Sequence, residues 1–241
     1  MLLDLSAGRR PATIQLMDSH PPTASPAGAD LSRIVALVPV RHLERAKSRL
    51  GDALDAEERT ALARRFLDAT LTALATVRDA GLIAGIVIAS GDPEALGAAV
   101  AAGATPLPVP GRDLVADLDV AREVARAAGA TAVLVVPIDL PAIGAGLITE
   151  ILERAASAAA RARAAGRGLV LLVPDVRGEG TNLLLLSPPA AIAFAFGPGS
   201  RSRHVAAAGI AGAVCVEAPG PLSLDVDTPD DLILATAPRG A

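Results

Sequence analysis

Residues 132–141, Ala-Val-Leu-Val-Val-Pro-Ile-Asp-Leu-Pro, are an aliphatic and β-branched run with no polar residue alternating through it. A strand with one wet face alternates; one that does not must be covered on both sides, as in the middle of a parallel sheet. The run therefore calls for a layered α/β chain in which helices supply the two covers. It carries a single carboxylate, Asp139, set between Pro137 and Pro141. Ligands of open α/β sheets lie outside the carboxyl ends of the strands, so an acid emerging there stands where a metal or phosphate is handled. The competing role for Asp139 is to cap the helix that follows.

The same pattern recurs along the chain. Residues 34–40 form a second unalternating strand, and residues 56–77 have the spacing of a long amphipathic helix with Leu62, Phe66, Leu67, Leu71, Leu74 and Val77 on one side. A strand is expected over 83–89, then a turn in which Asp92 caps a helix whose first residue is Pro93. A short strand over 105–109 and a helix over 114–128 closed by Gly129 lead to the 132–141 run. An Ala- and Arg-rich helix over 146–165 follows, then strands over 169–173 and 183–186 and a helix over 201–208. Buried strand, turn and helix in repetition is the signature of right-handed βαβ crossovers, hence a doubly wound α/β domain with a mostly parallel sheet and helices on both faces.

The 241 residues divide into an N-terminal extension over 1–31, read as disordered with Met17 as an alternative start, one domain over 32–236, and a tail over 237–241. With 51% hydrophobic residues but only three Phe and no Trp or Tyr, the core must be built from Ala, Val, Leu and Ile, and the scarcity argues against recognition of bases on exposed aromatic rings. A net charge of −4 argues against a nucleic-acid partner. No apolar run approaches the ~20 residues of a membrane span, so no membrane partner and a cytoplasmic location are expected. The single cysteine, Cys215, excludes a disulfide framework and, between Val214 and Val216, reads as a buried strand residue.

Three further segments carry chemistry. Arg41, Lys47 and Arg49 follow the first strand and put positive charge at the carboxyl edge of the sheet, where a triphosphate would meet it; a solvated basic loop is the alternative. Phe196-Gly197-Pro198-Gly199-Ser200 precedes a helix, so glycines that permit close approach sit at a helix amino end, an anion-binding arrangement, or else form a plain Gly-Pro turn with Ser200 as cap. In Asp225-Val226-Asp227 the two acids of an extended segment point the same way, close enough to share a cation. Thr228 and Pro229 then start a helix whose acids, Asp230 and Asp231, are accounted for by capping and dipole. Asp139, Asp225 and Asp227 make a plausible oxygen site for one or two Mg²⁺, suited with Lys47 to phosphoryl or nucleotidyl transfer.

Five motifs in series, Val38-Pro39-Val40-Arg41 through Ala46-Lys47-Ser48-Arg49-Leu50, Pro137-Ile138-Asp139-Leu140-Pro141, Gly180-Thr181-Asn182, Phe196-Gly197-Pro198-Gly199-Ser200 with Arg203-His204, and the 225–232 segment, resemble the 2-phospho-L-lactate/phosphoenolpyruvate guanylyltransferases of coenzyme F420 biosynthesis. The resemblance implies a GT-A-like nucleotidyltransferase fold and transfer of GMP from GTP to a small phosphocarboxylate: 2-phospho-L-lactate, phosphoenolpyruvate or 3-phosphoglycerate. By the same resemblance Asp139, Asp225 and Asp227 bind Mg²⁺, and Lys47 contacts phosphate, acting with Asp139 and Arg49 in the catalytic set. Thr181, Gly197 and Ser200 hold the phosphocarboxylate with Lys47, while Arg41, Asp113 and Leu114 serve the nucleotide. His204 is read as helix surface, and a homodimer is compatible. One departure stands out: where the family has a Gly-Leu-Asn-Ala-Ala-Leu type segment, this chain has Asp113-Leu114-Val115-Ala116-Asp117-Leu118. The rival readings are another GT-A-like nucleotidyltransferase, with a molybdopterin or sugar-phosphate acceptor, and a non-catalytic nucleotide-binding module.

Overall fold

The computed structural model describes residues 28–45 and 47–236. Seven strands, β1 (Ile34–Val40), β2 (Gly85–Ser90), β3 (Thr105–Pro108), β4 (Ala132–Val135), β5 (Leu169–Pro174), β6 (Thr181–Ser187) and β7 (Val214–Glu217), form one sheet in the order β3-β2-β1-β4-β6-β5-β7. Six of them point the same way; β6 is antiparallel to both its neighbours. Among the described residues six α-helices complete the fold: α1 (Ala56–Asp79), α2 (Pro93–Ala101), α3 (Leu114–Ala127), α4 (Ala145–Ala164), α5 (Ser200–Ile210) and α6 (Pro229–Thr236).

The unalternating strands are explained by two separate cores. Ala36, Val38, Leu134, Leu171 and Leu185 face one side, under α1, α2 and α4, while Val35, Leu37, Val133, Val135, Leu172 and Leu184 face the other, under α3 and α5. Successive residues of one strand feed opposite cores, so every position must be apolar. The mostly parallel sheet covered on both faces is as the sequence implies; the reversal of β6 is an addition to that reading.

Several boundaries differ for local reasons. The 132–141 run is a strand only to Val135, after which the chain leaves the sheet through Pro137, which has no N–H to offer a ladder. The buried face of α1 is Ala63, Leu67, Thr70, Leu71, Leu74 and Val77, with Leu62 and Phe66 only half-buried at its margin. A capping box at Asp55 and Glu58 starts that helix, and Asp92 caps α2 through Glu94 N at 2.8 Å as its sequence suggests. Cys215 is exposed rather than buried, because β7 is an edge strand with a half-uncovered surface. Of the expected extension over 1–31, residues 1–27 lie outside the described residues, but Ala29 is fully buried, its N–H donates to Arg167 O, and Arg163 binds its carbonyl, so residues 28–31 are part of the domain. The expected tail over 237–241 also lies outside the described residues. Among the described residues no helix is long and apolar enough to cross a membrane.

Candidate active site

The parallel strands end at one edge of the sheet, and because β6 runs backwards its first residues, Thr181 and Asn182, begin at that same edge. Two cavities open there, of about 460 and 240 Å³. Arg41, Lys47, Ser48 and Arg49 line the first; Asp175, Thr181, Asn182, Gly197, Ser200 and Asp225 line the second. Asp139 and Asp227 border both, as do Pro39, Leu114 and Pro137.

Residues 87 positions apart are joined here at the backbone: Val226 N–H donates to Asp139 O at 3.0 Å. The carboxylates on either side of that bond then converge on one cation. Lys47 Nζ donates to Asp139 Oδ2 at 2.9 Å and to Asp227 Oδ1 at 3.0 Å, with its side chain only 7% exposed. Burial alone would lower the Lys47 pKa, but Asp139 and Asp227 outweigh it and hold the ammonium above its ordinary range. Lys47 is also the one non-glycine residue with a left-handed backbone among the described residues, φ 59°, a conformation that costs roughly 1–2 kcal/mol and is offset by the two charge-assisted bonds. Arg49 NH1 lies 3.8 Å from Asp227 Oδ2 and is exposed, so its attraction is screened.

Asp225 is held differently. Asn182 Nδ2 donates to Leu222 O at 3.1 Å and Ser223 O at 2.9 Å, fixing the loop, and reaches Asp225 Oδ1 at 3.4 Å. Burial, and then the charges of Asp139 and Asp227, push the Asp225 carboxyl above its usual pKa. The cluster thus has three acids and one buried cation, and is short of positive charge. Among the described residues no three His, Cys, Asp or Glu side chains are arranged ready to take a metal ion, since Lys47 Nζ stands between Asp139 and Asp227. The donor chemistry nevertheless fits a hard divalent cation: all-oxygen side chains with surplus negative charge.

Asp231, which capping and the helix dipole account for in the sequence, also anchors this loop. Its buried Oδ2 accepts from Asp227 N at 3.1 Å, Thr228 N at 2.8 Å and Thr228 Oγ1 at 2.8 Å, and its Oδ1 accepts from Arg177 at 3.2 Å. Burial pushes its carboxyl up, but the donors of Thr228 and Asp227 and the Arg177 charge hold it below the usual range. The signal was present in the Thr-Pro-Asp-Asp order, where an acid at the third helical position reaches back to the turn before it.

Around the second cavity, Thr181 Oγ1 lies 3.0 Å from His204 Nδ1, and Ala195 N–H donates to His204 Nε2 at 3.0 Å. His204 is fully buried, not on the helix surface as its sequence context suggested, because Phe196 packs edge-on against it, the ring centroids 5.1 Å apart. Burial, and then Arg203, lower its pKa to about 4, so the ring is neutral. Gly197 and Gly199 have φ of 106° and 70°, left-handed values that admit the turn into α5. Gly199 occupies the cap position and Ser200 is already the first helical residue, so Ser200 is not the cap. The helix amino end is partly closed: Ser200 N–H donates to Gly197 O and Arg201 N–H to Glu179 O.

Leu114 borders both cavities, but Asp113 borders neither. Its carboxylate, expected to serve the nucleotide, caps α3, accepting from Val115 N at 2.9 Å and Ala116 N at 3.2 Å. In the same segment Asp117 is buried, its pKa raised first by that burial.

Comparison with known proteins agrees with this geometry. The family model described as guanylyl transferase CofC like matches residues 34–235. The phosphoenolpyruvate guanylyltransferase of Rubrobacter xylanophilus is 39% identical over 211 residues, covering 86% of this chain and 95% of that protein. The enzyme of the same name from Sphaerobacter thermophilus is also 39% identical, with the same coverage. Among solved structures, a putative nucleotide-diphospho-sugar transferase from Desulfovibrio desulfuricans G20 aligns with a TM-score of 0.63 at 21% identity, over 83% of this chain and 85% of that one. A CMP:2-keto-3-deoxy-manno-octonic acid synthetase complexed with CTP aligns with a TM-score of 0.51 at 15% identity, over 83% and 95% of the two chains. The structural likenesses show a nucleotidyltransferase fold, and with them the sequence match settles the family: this chain belongs to the CofC-like guanylyl transferases.

Proposed function

We propose that the chain transfers the guanylyl group of GTP to the phosphate of a small phosphocarboxylate, phosphoenolpyruvate first among the candidates, with release of pyrophosphate, as a step in coenzyme F420 biosynthesis. The observation that carries the reading is the pair of cavities meeting at Asp139 and Asp227, one lined by cations and the other by Thr181, Gly197 and Ser200. A two-substrate transfer needs the reacting groups brought together at a shared boundary. The names borne by the relatives supply the nucleotide and the acceptor.

In this reading Arg41, Lys47 and Arg49 receive the triphosphate, and Leu114 packs beside it. Thr181, Gly197 and Ser200 orient the acceptor. One acceptor phosphate oxygen attacks the α-phosphorus of GTP, the bond to the β-phosphate oxygen breaks, and pyrophosphate leaves with the displaced charge. The acceptor phosphate is already ionised at neutral pH, so the chain supplies no strong base. Asp139, Asp225 and Asp227 would hold Mg²⁺, which supplies charge neutralisation and alignment of the phosphates when bound. With those carboxylates holding the metal, the Lys47 ammonium would be free to contact the phosphates. The chemistry suits a cytoplasmic enzyme, where GTP is supplied.

The test is pyrophosphate release from GTP and Mg²⁺ with phosphoenolpyruvate, 2-phospho-L-lactate and 3-phosphoglycerate in competition, products identified by mass. A guanylylated phosphoenolpyruvate is expected as the main product. No guanylylated product with any of the three would end the proposal.

A further inference from the structure

His204 sits behind the second cavity, and its two ring nitrogens have different neighbours. The backbone N–H of Ala195 can only donate, so the Nε2 it points at, 3.0 Å away, must carry a lone pair. A neutral ring has one proton, which is then on Nδ1. Nδ1–H donates across 3.0 Å to Thr181 Oγ1. A hydroxyl that accepts in this way places its own proton elsewhere, and among the described residues Thr181 Oγ1 has no second protein partner. Thr181 borders the cavity shared with Asp139, Asn182 and Ser200.

We infer that His204 is a positioning residue: the relay from Ala195 N–H through the imidazole to Thr181 fixes the threonine hydroxyl as a donor into the cavity, matched to an anionic oxygen of the acceptor. The inference rests on the proposed function for the identity of that anion, but the direction of the relay follows from the hydrogen bonds alone. A ring protonated on Nε2 would face the Ala195 amide donor to donor. The same clash disfavours the imidazolium, in keeping with its burial beside Phe196. Without the relay Thr181 would rotate freely and as readily present a lone pair, which repels an anion.

Two substitutions separate the halves of the relay. In His204→Gln the side-chain oxygen can reach where Nε2 lies and still accept from Ala195, while the donor to Thr181 is lost. In His204→Asn the amide N–H₂ can take the place of Nδ1–H and still donate to Thr181. With a charged acceptor at stake, H204Q should raise the KM for phosphoenolpyruvate about tenfold with the KM for GTP unchanged, and H204N should stay within about threefold of the parent. Thr181→Val should raise the same KM by about the same factor, and H204Q added to T181V should change nothing more. Equal effects of Gln and Asn, or multiplying effects of H204Q and T181V, would overturn the inference. The ring tautomer is read separately by nitrogen-15 NMR of the unliganded protein: Nδ1 protonated is expected, and a proton on Nε2 would overturn the relay whatever the substrate. If no phosphocarboxylate turns over or binds by calorimetry, the functional reading and the ligand half of this inference fall together, and the NMR result alone decides the relay.

Discussion

The two cavities that share Asp139 and Asp227 are built on opposite principles. The first is a balance of full charges, in which a buried ammonium holds two carboxylates that would otherwise repel. The second is lined by acids as well, Asp175 and Asp225 among them, but what sets it apart is a line of neutral groups whose hydrogen bonds run in one direction, from Ala195 through His204 to Thr181. Charges respond to ions and phosphates over several ångströms and tolerate movement, whereas a hydroxyl recognises its ligand only when its proton points the right way. A site that must take up a metal and a triphosphate on one side and orient a small acceptor on the other has reason to use both.

The sharpest way to break this comparison is at the shared boundary. Asp139→Asn keeps the shape but removes one of the charges on which the first cavity depends, and kcat for pyrophosphate release should fall about 10³-fold, the scale of removing a preorganised electrostatic contact in a transfer reaction. The melting temperature should change little, because one like charge disappears along with one salt bridge. A variant that retained turnover within tenfold of the parent would show that the carboxylate is structural.

The neutral side is separated from the charged side by pH. The pKa of His204 lies near 4 in the fold against about 6.5 in an open chain, from burial first and the Arg203 charge second. The other groups facing the ring are the Thr181 hydroxyl, the Ala195 amide and the Phe196 edge, none of which titrates in that range. Between those two values the unfolded chain takes up a proton that the folded one refuses, so stability is lost as pH falls from about 6.5 toward 4, by up to about 3 kcal/mol. Urea unfolding at pH 7 and pH 4.5 should show that slope in the parent and lack it in His204→Gln. An equal slope in both would place the acid sensitivity elsewhere.

Lys47→Met tests the charged side in the absence of substrate. Without the ammonium, Asp139 and Asp227 repel, the unliganded protein should lose about 1–3 kcal/mol, and Mg²⁺ should raise its melting temperature more than it raises that of the parent. Turnover should fall about 100-fold as a phosphate contact is lost. A Mg²⁺ response no larger than the parent's would mean that lysine and metal do not compete for the same carboxylates.

The sequence carried the charged side far better than the neutral one. Asp139, Asp225, Asp227 and Lys47 could be picked out as candidates because each follows an unalternating strand or sits in an acid pair, although capping and a solvated loop competed for them, and the layered fold was legible because strands that supply two cores cannot alternate. The entry of Thr181 beside them depends on β6 running against its neighbours, a reversal that a run of four leucines does not announce. His204 was misread because its burial comes from Phe196 and Ala195, which belong to the loop before α5 and not to the helix periodicity. Asp113 was assigned to the nucleotide from its place in a motif, whereas an acid immediately before a helix has capping as its first use, and that is where its carboxylate is found.

The smallest effect expected concerns how the two sides are held in register. Asp231 touches neither cavity, yet its carboxylate accepts from the backbone of Asp227 and from both donors of Thr228. Its pKa is held below the ordinary carboxyl value, so the stability it contributes is present above about pH 4 and is lost as pH falls through the folded value. Asp231→Asn keeps one acceptor oxygen but sets an amide against some of the same donors, and should cost about 1–2 kcal/mol at pH 7, read as a lower melting temperature. Because Val226 ties this loop to the Asp139 carbonyl, the change should reach turnover as a severalfold drop in kcat and leave the acceptor KM, set by Thr181, nearly unchanged. An acceptor KM that rose with it would mean that the two cavities are mechanically one, and the division between a charged side and a neutral side would have to be given up.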